Sequence, residues 1–342
     1  MTRPAPRKGG LAVLFAMTAL IGGGVLAAEG GAASAEGQAQ ASRTAGASSA
    51  SGVPNEAAPE FGVSLAHALL DPTWDESREW APAEVFRSEG RAMAAGMLDM
   101  PEGRLAVYAL LPPSPRATIL FVHGYLSEAA AFAPLIKHFA GEGFAVLAFD
   151  LPGHGHSYGA RFTVGSFHEY GDAVLAVARA SVGLPRPLIG LGHSLGGLSL
   201  ADASLRAEVD SSPPFDSLLL VAPLTRSSWW PVVHAIAELP HEGDGPLPFS
   251  KVPNSWVLGL AAWRTWAEEA VPSQVPALIL LAGRDTATDP ADAGRLLGRL
   301  FPKARMETLD WMGHWEIEKA RPDSRLLGSI DGFLGEISGG DR

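Results

Sequence analysis

The chain has 342 residues, of which 47% are hydrophobic, with a formal net charge of −11 and no cysteine. About 280 residues follow a low-complexity start, enough for one large domain with a sizeable core. The acidic balance, without any basic stripe, excludes a nucleic-acid binder, and the missing cysteines exclude disulfides and a lipidated N-terminal cysteine.

In chain order, Arg3, Arg7 and Lys8 form a charged start, and residues 11–28 (LAVLFAMTALIGGGVLAA) are apolar and uncharged. Small-residue sites follow at Val25-Leu26-Ala27 and Ala33-Ser34-Ala35, so residues 1–35 read as a cleaved signal peptide and the protein as exported, periplasmic or secreted. The alternative is an uncleaved N-terminal membrane anchor, since an apolar run of this length could just span a bilayer; the run Gly22-Gly23-Gly24 favours cleavage. Residues 29–60 are rich in Ala, Gly and Ser, leaving 36–60 as a flexible linker ahead of a folded domain over 61–342.

Within that domain, residues 104–111 and 117–124 read as strands joined by the Pro-rich turn LPPSPR. An amphipathic helix over 132–143 precedes a buried strand over 144–150, and a longer helix over 166–183 precedes a strand over 186–192. A helix over 194–209 and a strand over 215–224 follow. After an interruption at 225–272 come a strand over 276–285, a helix near 289–301, a strand over 304–311 and a C-terminal helix. Continuous apolar strands alternating with helices predict an α/β fold, a doubly wound, mostly parallel sheet. The interruption holds Trp229, Trp230, Trp256, Trp263 and Trp266 among the chain's nine tryptophans. Trp229, Val232, Val233 and Ile236 recur at helical spacing, as do Trp256, Leu260 and Trp263, which predicts two amphipathic helices forming a lid.

Two segments match G-x-S-x-G: GHSYG at 155–159 and GHSLG at 192–196. A nucleophile elbow needs a strand, a tight turn and a helix, with glycines where strand and helix crowd together. GHSLG has LIGL before it and LGGLSLADASL after it, with Gly192, Gly196 and Gly197 at the crowded points. GHSYG follows the loop DLPGHG and leads into RFTV, so Ser157 is a turn residue and Ser194 the candidate nucleophile. A serine hydroxyl needs a base to take its proton and an acid to orient that base, in the chain order Ser, Asp or Glu, His. His234, His241 and His314 lie downstream; the first two fall in the interruption, and His314 sits in the loop DWMGHWEIE between the last strand and the last helix. Asp285 ends the strand ALILLAGRD, at the strand edge where such sites gather. Asp289 opens a helix and reads better as its N-cap, and stays as the second candidate acid. The backbone N–H groups of Leu195 and Tyr125 are the candidate oxyanion donors, with His123 as a structural support of that loop. No metal and no cofactor is expected: His154-x-His156 lacks a third ligand and serves the shape of its turn.

The set FVHGY, FDLPGHGHS, GARFTVGSFHEYGDAV, GHSLGG, FDSLLLVAPL and AGRDTATD resembles the monoglyceride lipase and lysophospholipase branch of the α/β-hydrolases, over most of 88–338. The resemblance implies a cofactor-free serine esterase of monoacyl lipids, with Ser194, Asp285 and His314 on the triad and Tyr125 and Leu195 on the oxyanion donors. Two departures stand out. Tyr125 occupies a place where the family often has a smaller residue, and the acid lies one residue closer to its glycine than in the commoner spacing. An insertion after the strand over 215–224 would lie above the catalytic edge, so Trp229, Trp230, Trp256 and Trp263 are expected to wall the acyl pocket and give the lid a surface for membrane contact. A prolyl-aminopeptidase-type peptidase and a general small-ester carboxylesterase are the alternatives.

Overall fold

The computed structural model describes residues 81–88, 90–209, 214–239 and 252–339. The leader, the linker, the first residues of the expected domain and His241 lie outside the described residues. Eight strands form one sheet in the order β1-β2-β4-β3-β5-β6-β7-β8. They are β1 (Ala92–Met100), β2 (Gly103–Leu111), β3 (Ala117–Val122), β4 (Phe144–Phe149), β5 (Leu188–His193), β6 (Ser217–Val221), β7 (Ala277–Ala282) and β8 (Ala304–Leu309). β2 runs antiparallel to both neighbours, and β4, β3, β5, β6, β7 and β8 run parallel. The α/β, mostly parallel architecture expected from the alternating elements is thus what the chain adopts.

Seven α-helices flank the sheet among the described residues: α1 (Ala133–Gly141), α2 (His168–Ala180), α3 (Leu195–Val209), α4 (Trp230–Ala237), α5 (Asn254–Glu269), α6 (Pro290–Leu300) and α7 (Ser324–Ser338). Alternate side chains of each strand serve opposite faces. In β3, Leu120 and Val122 join the layer of α2, α3, α5 and α6, whereas Ile119 and Phe121 join that of α1 and α7. Every residue of β3, β4, β5, β6 and β7 is buried, which is why these strands read as continuous apolar runs.

β1 escaped the sequence reading. Its segment AMAAGMLDM is poor in β-branched and aromatic residues. It pairs residue for residue with β2 from Ala92↔Leu111 to Met100↔Gly103, closing a two-residue hairpin turn. Tertiary pairing overrides weak propensity there, with Ala94 and Ala95 fully buried.

The topology creates the place for a site. From β3 the chain turns outward to β4 and then returns to β5 on the other side of β3, so the loops leaving β3 and β5 diverge over a crevice. Such a switch point, at the carboxyl ends of parallel strands, is where open α/β sheets bind ligands. The loops leaving β6, β7 and β8 open on the same edge.

Candidate active site

Ser194 stands between the end of β5 and the start of α3 with φ at +52°, a conformation that L side chains rarely adopt. Such strain costs roughly 1–3 kcal/mol and persists because the surroundings impose it. Its N–H donates to Val221 (3.0 Å), and its carbonyl accepts from Leu198 (3.2 Å) and Leu224 (3.0 Å). The glycines make the turn sterically feasible. A Cβ on Gly192 would come within 2.5 Å of the Gly196 carbonyl carbon, and one on Gly196 would overlap the Val122 carbonyl oxygen. One on Gly197 would press on Pro223 at 3.1 Å.

His314 lies in the loop after β8, and its Nε2 is 3.0 Å from Ser194 Oγ. Its Nδ1 is 2.8 Å from Asp285 Oδ2, and the two side chains are only 2% and 1% exposed. A carboxylate can only accept, so Nδ1 carries the proton and the Nε2 lone pair faces the serine hydroxyl. Asp285 is held in turn: Oδ1 accepts from the N–H groups of Ala287 and Thr288 (2.8 Å each), and Oδ2 from the Thr288 hydroxyl (2.8 Å). Burial pushes the Asp285 carboxyl up, but the bonds from His314 and Thr288 outweigh it and hold the group below the usual carboxylate range. For His314 burial dominates and keeps the imidazole below its ordinary value, against the pull of Asp285. A neutral imidazole in this position can accept a proton.

The other candidates are placed apart from this set. Asp289 caps α6, accepting from the Asp292 N–H (3.0 Å), and binds Arg226 (2.7 Å). Ser157 staples a turn: its hydroxyl donates to the Asp150 carbonyl (2.5 Å) and accepts from the Ala106 N–H (3.0 Å). His234 belongs to α4, where it stacks on Trp230.

The loop leaving β3 passes directly over the elbow, since a Cβ on Gly124 would sit 3.4 Å from Ser194 Cβ. Two buried histidines clasp it. His123 Nδ1–H donates to the Gly124 carbonyl (2.7 Å) while its Nε2 accepts from Leu151 (2.9 Å). His154 Nε2 accepts from the Leu126 N–H (3.2 Å), and its Nδ1–H donates to the Pro152 carbonyl (2.9 Å). Burial lowers the two imidazoles to about 4 and about 3, so both stay neutral. With both nitrogens of His154 engaged by main chain, that ring has no free lone pair for a metal; among the described residues no cluster of three potential ligands occurs. The amide of Tyr125 thus lies between two pinned neighbours, and Leu195 is the first residue of α3, where amides lack an intrahelical acceptor.

The tryptophans of the segment expected to form a lid divide. Trp256 stacks on the Tyr125 ring with centroids 4.1 Å apart and donates its N–H to the Tyr170 hydroxyl (3.2 Å). The Tyr125 hydroxyl donates to the Phe162 carbonyl (2.7 Å), and the large side chain at this position leans towards α5. Trp263 is held elsewhere: its N–H donates to Asp202 (2.9 Å), eight residues along α3 from Ser194, or about 12 Å at the helical rise. It anchors α5 at a distance from Ser194. Trp230 packs on His234 and under the Arg264 guanidinium, and Trp229 directly precedes α4, half-buried.

Sequence reasoning passed over three neighbours of His314. His193 Nε2–H donates to the His314 carbonyl (3.0 Å), Glu318 Oε1 lies 3.3 Å from His193 Nδ1, and the Trp315 ring meets the His314 ring edge-on at 4.7 Å. His193 was open to detection, because a histidine ending a fully buried strand must find polar partners.

Comparison with known proteins shows what the chain is similar to. A family model described as serine aminopeptidase, S33, matches residues 113–242, which include Ser194 but stop short of Asp285 and His314. A soluble variant of monoglyceride lipase from Saccharomyces cerevisiae superposes with a TM-score of 0.57 at 12% identity, covering 74% of this chain and 96% of that one. The chain has the α/β-hydrolase fold. Two curated relatives of the chain are phospholipase YtpA of Bacillus subtilis, 37% identical over 84 residues, and caffeoylshikimate esterase of Arabidopsis thaliana, 28% identical over 148 residues. The matches cover 25% and 41% of this chain, and span only 32% and 44% of those proteins' lengths.

Proposed function

We propose that the protein is a serine hydrolase of carboxylic esters, with monoacyl lipid esters as its substrate class. The observation that carries the reading is the buried chain Ser194 Oγ–His314 Nε2–Asp285 at 3.0 and 2.8 Å, set at the switch point of the sheet. In this reading His314 takes the serine proton as Oγ attacks the ester carbonyl. The amides of Tyr125 and Leu195 receive the developing oxyanion, each such donor being worth roughly 10²–10³ in rate. The protonated imidazole then passes its proton to the leaving alcohol. Water, activated by the same base, releases the acid from the acyl-serine.

The lipid assignment draws on the resemblance of the motifs, on the phospholipase relative, and on the cluster of aromatic rings, Tyr125, Phe162, Phe167 and Trp256, that gathers at the loop after β3. Turnover of p-nitrophenyl esters of rising chain length, beside a monoacylglycerol and aminoacyl-arylamides, tests it. The expected profile climbs with chain length to a plateau and is poor for triacylglycerols. A flat profile, or a preference for acetate, leaves a general small-ester hydrolase. The S33 match favours one second reading, a peptidase, which requires faster turnover of aminoacyl-arylamides than of any ester.

Export through cleavage of residues 1–35 belongs to the same proposal, supported by the charged start and the apolar run at 11–28. N-terminal sequencing of the protein from a bacterial host should begin after Ala27 to Ala35; intact Met1 in the membrane fraction would mark an anchor.

A further inference from the structure

His193 is fully buried and directly precedes the nucleophile, yet the reaction outlined above gives it no task. Its Nε2–H is committed to the His314 carbonyl at 3.0 Å, and that oxygen can only accept. The opposite nitrogen faces Glu318, four residues beyond His314, at 3.3 Å. Nδ1 and the Glu318 Oε1 are both buried, and neither has a well-aligned hydrogen-bond partner in the structure. Two bare lone pairs would repel at this separation, so one proton lies between them, on nitrogen as an ion pair or on oxygen as an acid. In either form the pair is neutral overall, and Nε2 remains the donor to His314.

The ring also touches the loops that leave β3, β5 and β8. It leads into the elbow, a Cβ on Gly124 would strike its Nδ1 at 3.0 Å, and its centroid is 4.9 Å from that of His314. Phe132 and Trp315 close round it at 6.0 and 6.3 Å.

We infer that His193 and Glu318 form a second histidine–carboxylate pair that positions His314 from behind, holding its backbone so that Nε2 stays within hydrogen-bonding reach of Ser194. Both are positioning residues. The inference rests on the triad reading above and adds what keeps base and nucleophile in register. Without a partner at Nδ1, His193 can turn or change tautomer, and the bond to the His314 carbonyl is lost. Proximity then suffers while the substrate pocket is untouched, since a displacement of about 1 Å can cost on the order of a hundredfold.

The test compares Glu318→Leu with Glu318→Gln in the full chain, reading kcat and KM on a p-nitrophenyl ester, fluorophosphonate labelling of Ser194, and the deshielded proton between His314 and Asp285 by NMR. Glutamine can satisfy Nδ1 whichever partner carries the hydrogen, whereas leucine cannot. The expected result for Glu318→Leu is a kcat lower by about tenfold or more at unchanged KM, slower labelling, and a shifted or broadened proton signal. Glu318→Gln should restore kcat to within a few-fold of wild type. If the leucine variant fails to fold, Glu318→Asp withdraws the carboxylate by one methylene and should show the same kcat loss at constant KM. Wild-type kcat in the leucine or aspartate variant, or equal losses in Gln and Leu, would overturn the inference. Failure of the wild type itself to label at Ser194 would instead overturn the hydrolase reading, and this inference with it.

Discussion

Ser194 and Ser157 carry the same five-residue pattern and differ only in what surrounds them. Ser194→Ala should lower kcat by several orders of magnitude, on the order of a millionfold for loss of a serine nucleophile. Ser157→Ala should leave turnover near wild type and cost about 1 kcal/mol in denaturant unfolding, because the Ala106 N–H loses its acceptor and the Asp150 carbonyl its donor. The two aspartates can be told apart in the same way. Asp285→Asn should lose about 10⁴ in kcat by disturbing the His314 tautomer, whereas Asp289→Asn should stay active, because its bonds serve the α6 cap and Arg226. Equal losses would mean that the acid is shared. The pH profile follows from the same burial. Desolvation of His314 disfavours the imidazolium, so protonation needs more acid than free imidazole does. The acid limb of kcat/KM should therefore have its midpoint below about 6.5, and a midpoint above that value would contradict a desolvated base.

At the scale of elements, α5 and α4 bracket the insertion between β6 and β7 in different ways. α5 buries Trp256, Val257, Leu260 and Trp263 on one stripe, whereas α4 buries only Ala237 and leaves Val232 44% exposed. Trp256→Ala should remove the plate lying on Tyr125 and weaken long-chain esters more than acetate. A bound chain gains about 0.8 kcal/mol per buried methylene, so kcat/KM for a long ester should fall by tenfold or more. Equal losses for acetate and long chains would place Trp256 outside the acyl path. The helices were legible because their apolar residues recur at 3.6, and the elbow because strand, turn and helix are contiguous in GHSLG. Contacts with no local spacing were not legible. The His193–Glu318 pair joins residues far apart in the chain, and β1 finds its only strand partner in β2. The distinction between Trp256 and Trp263, equivalent on a helical wheel, depends on Tyr125 and Asp202 waiting at different places.

For the molecule as a whole, the clasp on the loop after β3 ties stability to pH. Unfolding would free His123 and His154 to bind protons near pH 6.5, yet the folded chain refuses them until about 4 and about 3. The unfolded state therefore holds more protons in that window. Stability contributed by these rings is complete above about pH 6.5 and is lost as pH falls towards 4 and then 3. Each ring adds a slope of about 1.4 kcal/mol per pH unit. Thermal melts from pH 7.5 to 4.5 should show Tm falling on the acid side, less steeply in His154→Gln; a flat Tm would show that both rings are free to protonate in the native state.

The rooting of α5 has a consequence for where the chain can tolerate change. Trp263 is tied to Asp202, and Arg264 binds both Asp292 (2.6 Å) and the Thr225 carbonyl (2.7 Å), so the helix is bolted to α3, to α6 and to the exit of β6. α4 has no comparable bolts among the described residues. Substitutions can accumulate along α4 without unfolding the domain or moving the triad, while the Trp256 plate stays in register with Tyr125. Tolerance of change is thereby concentrated in one short helix, and the Ser194–His314–Asp285 set is insulated from it.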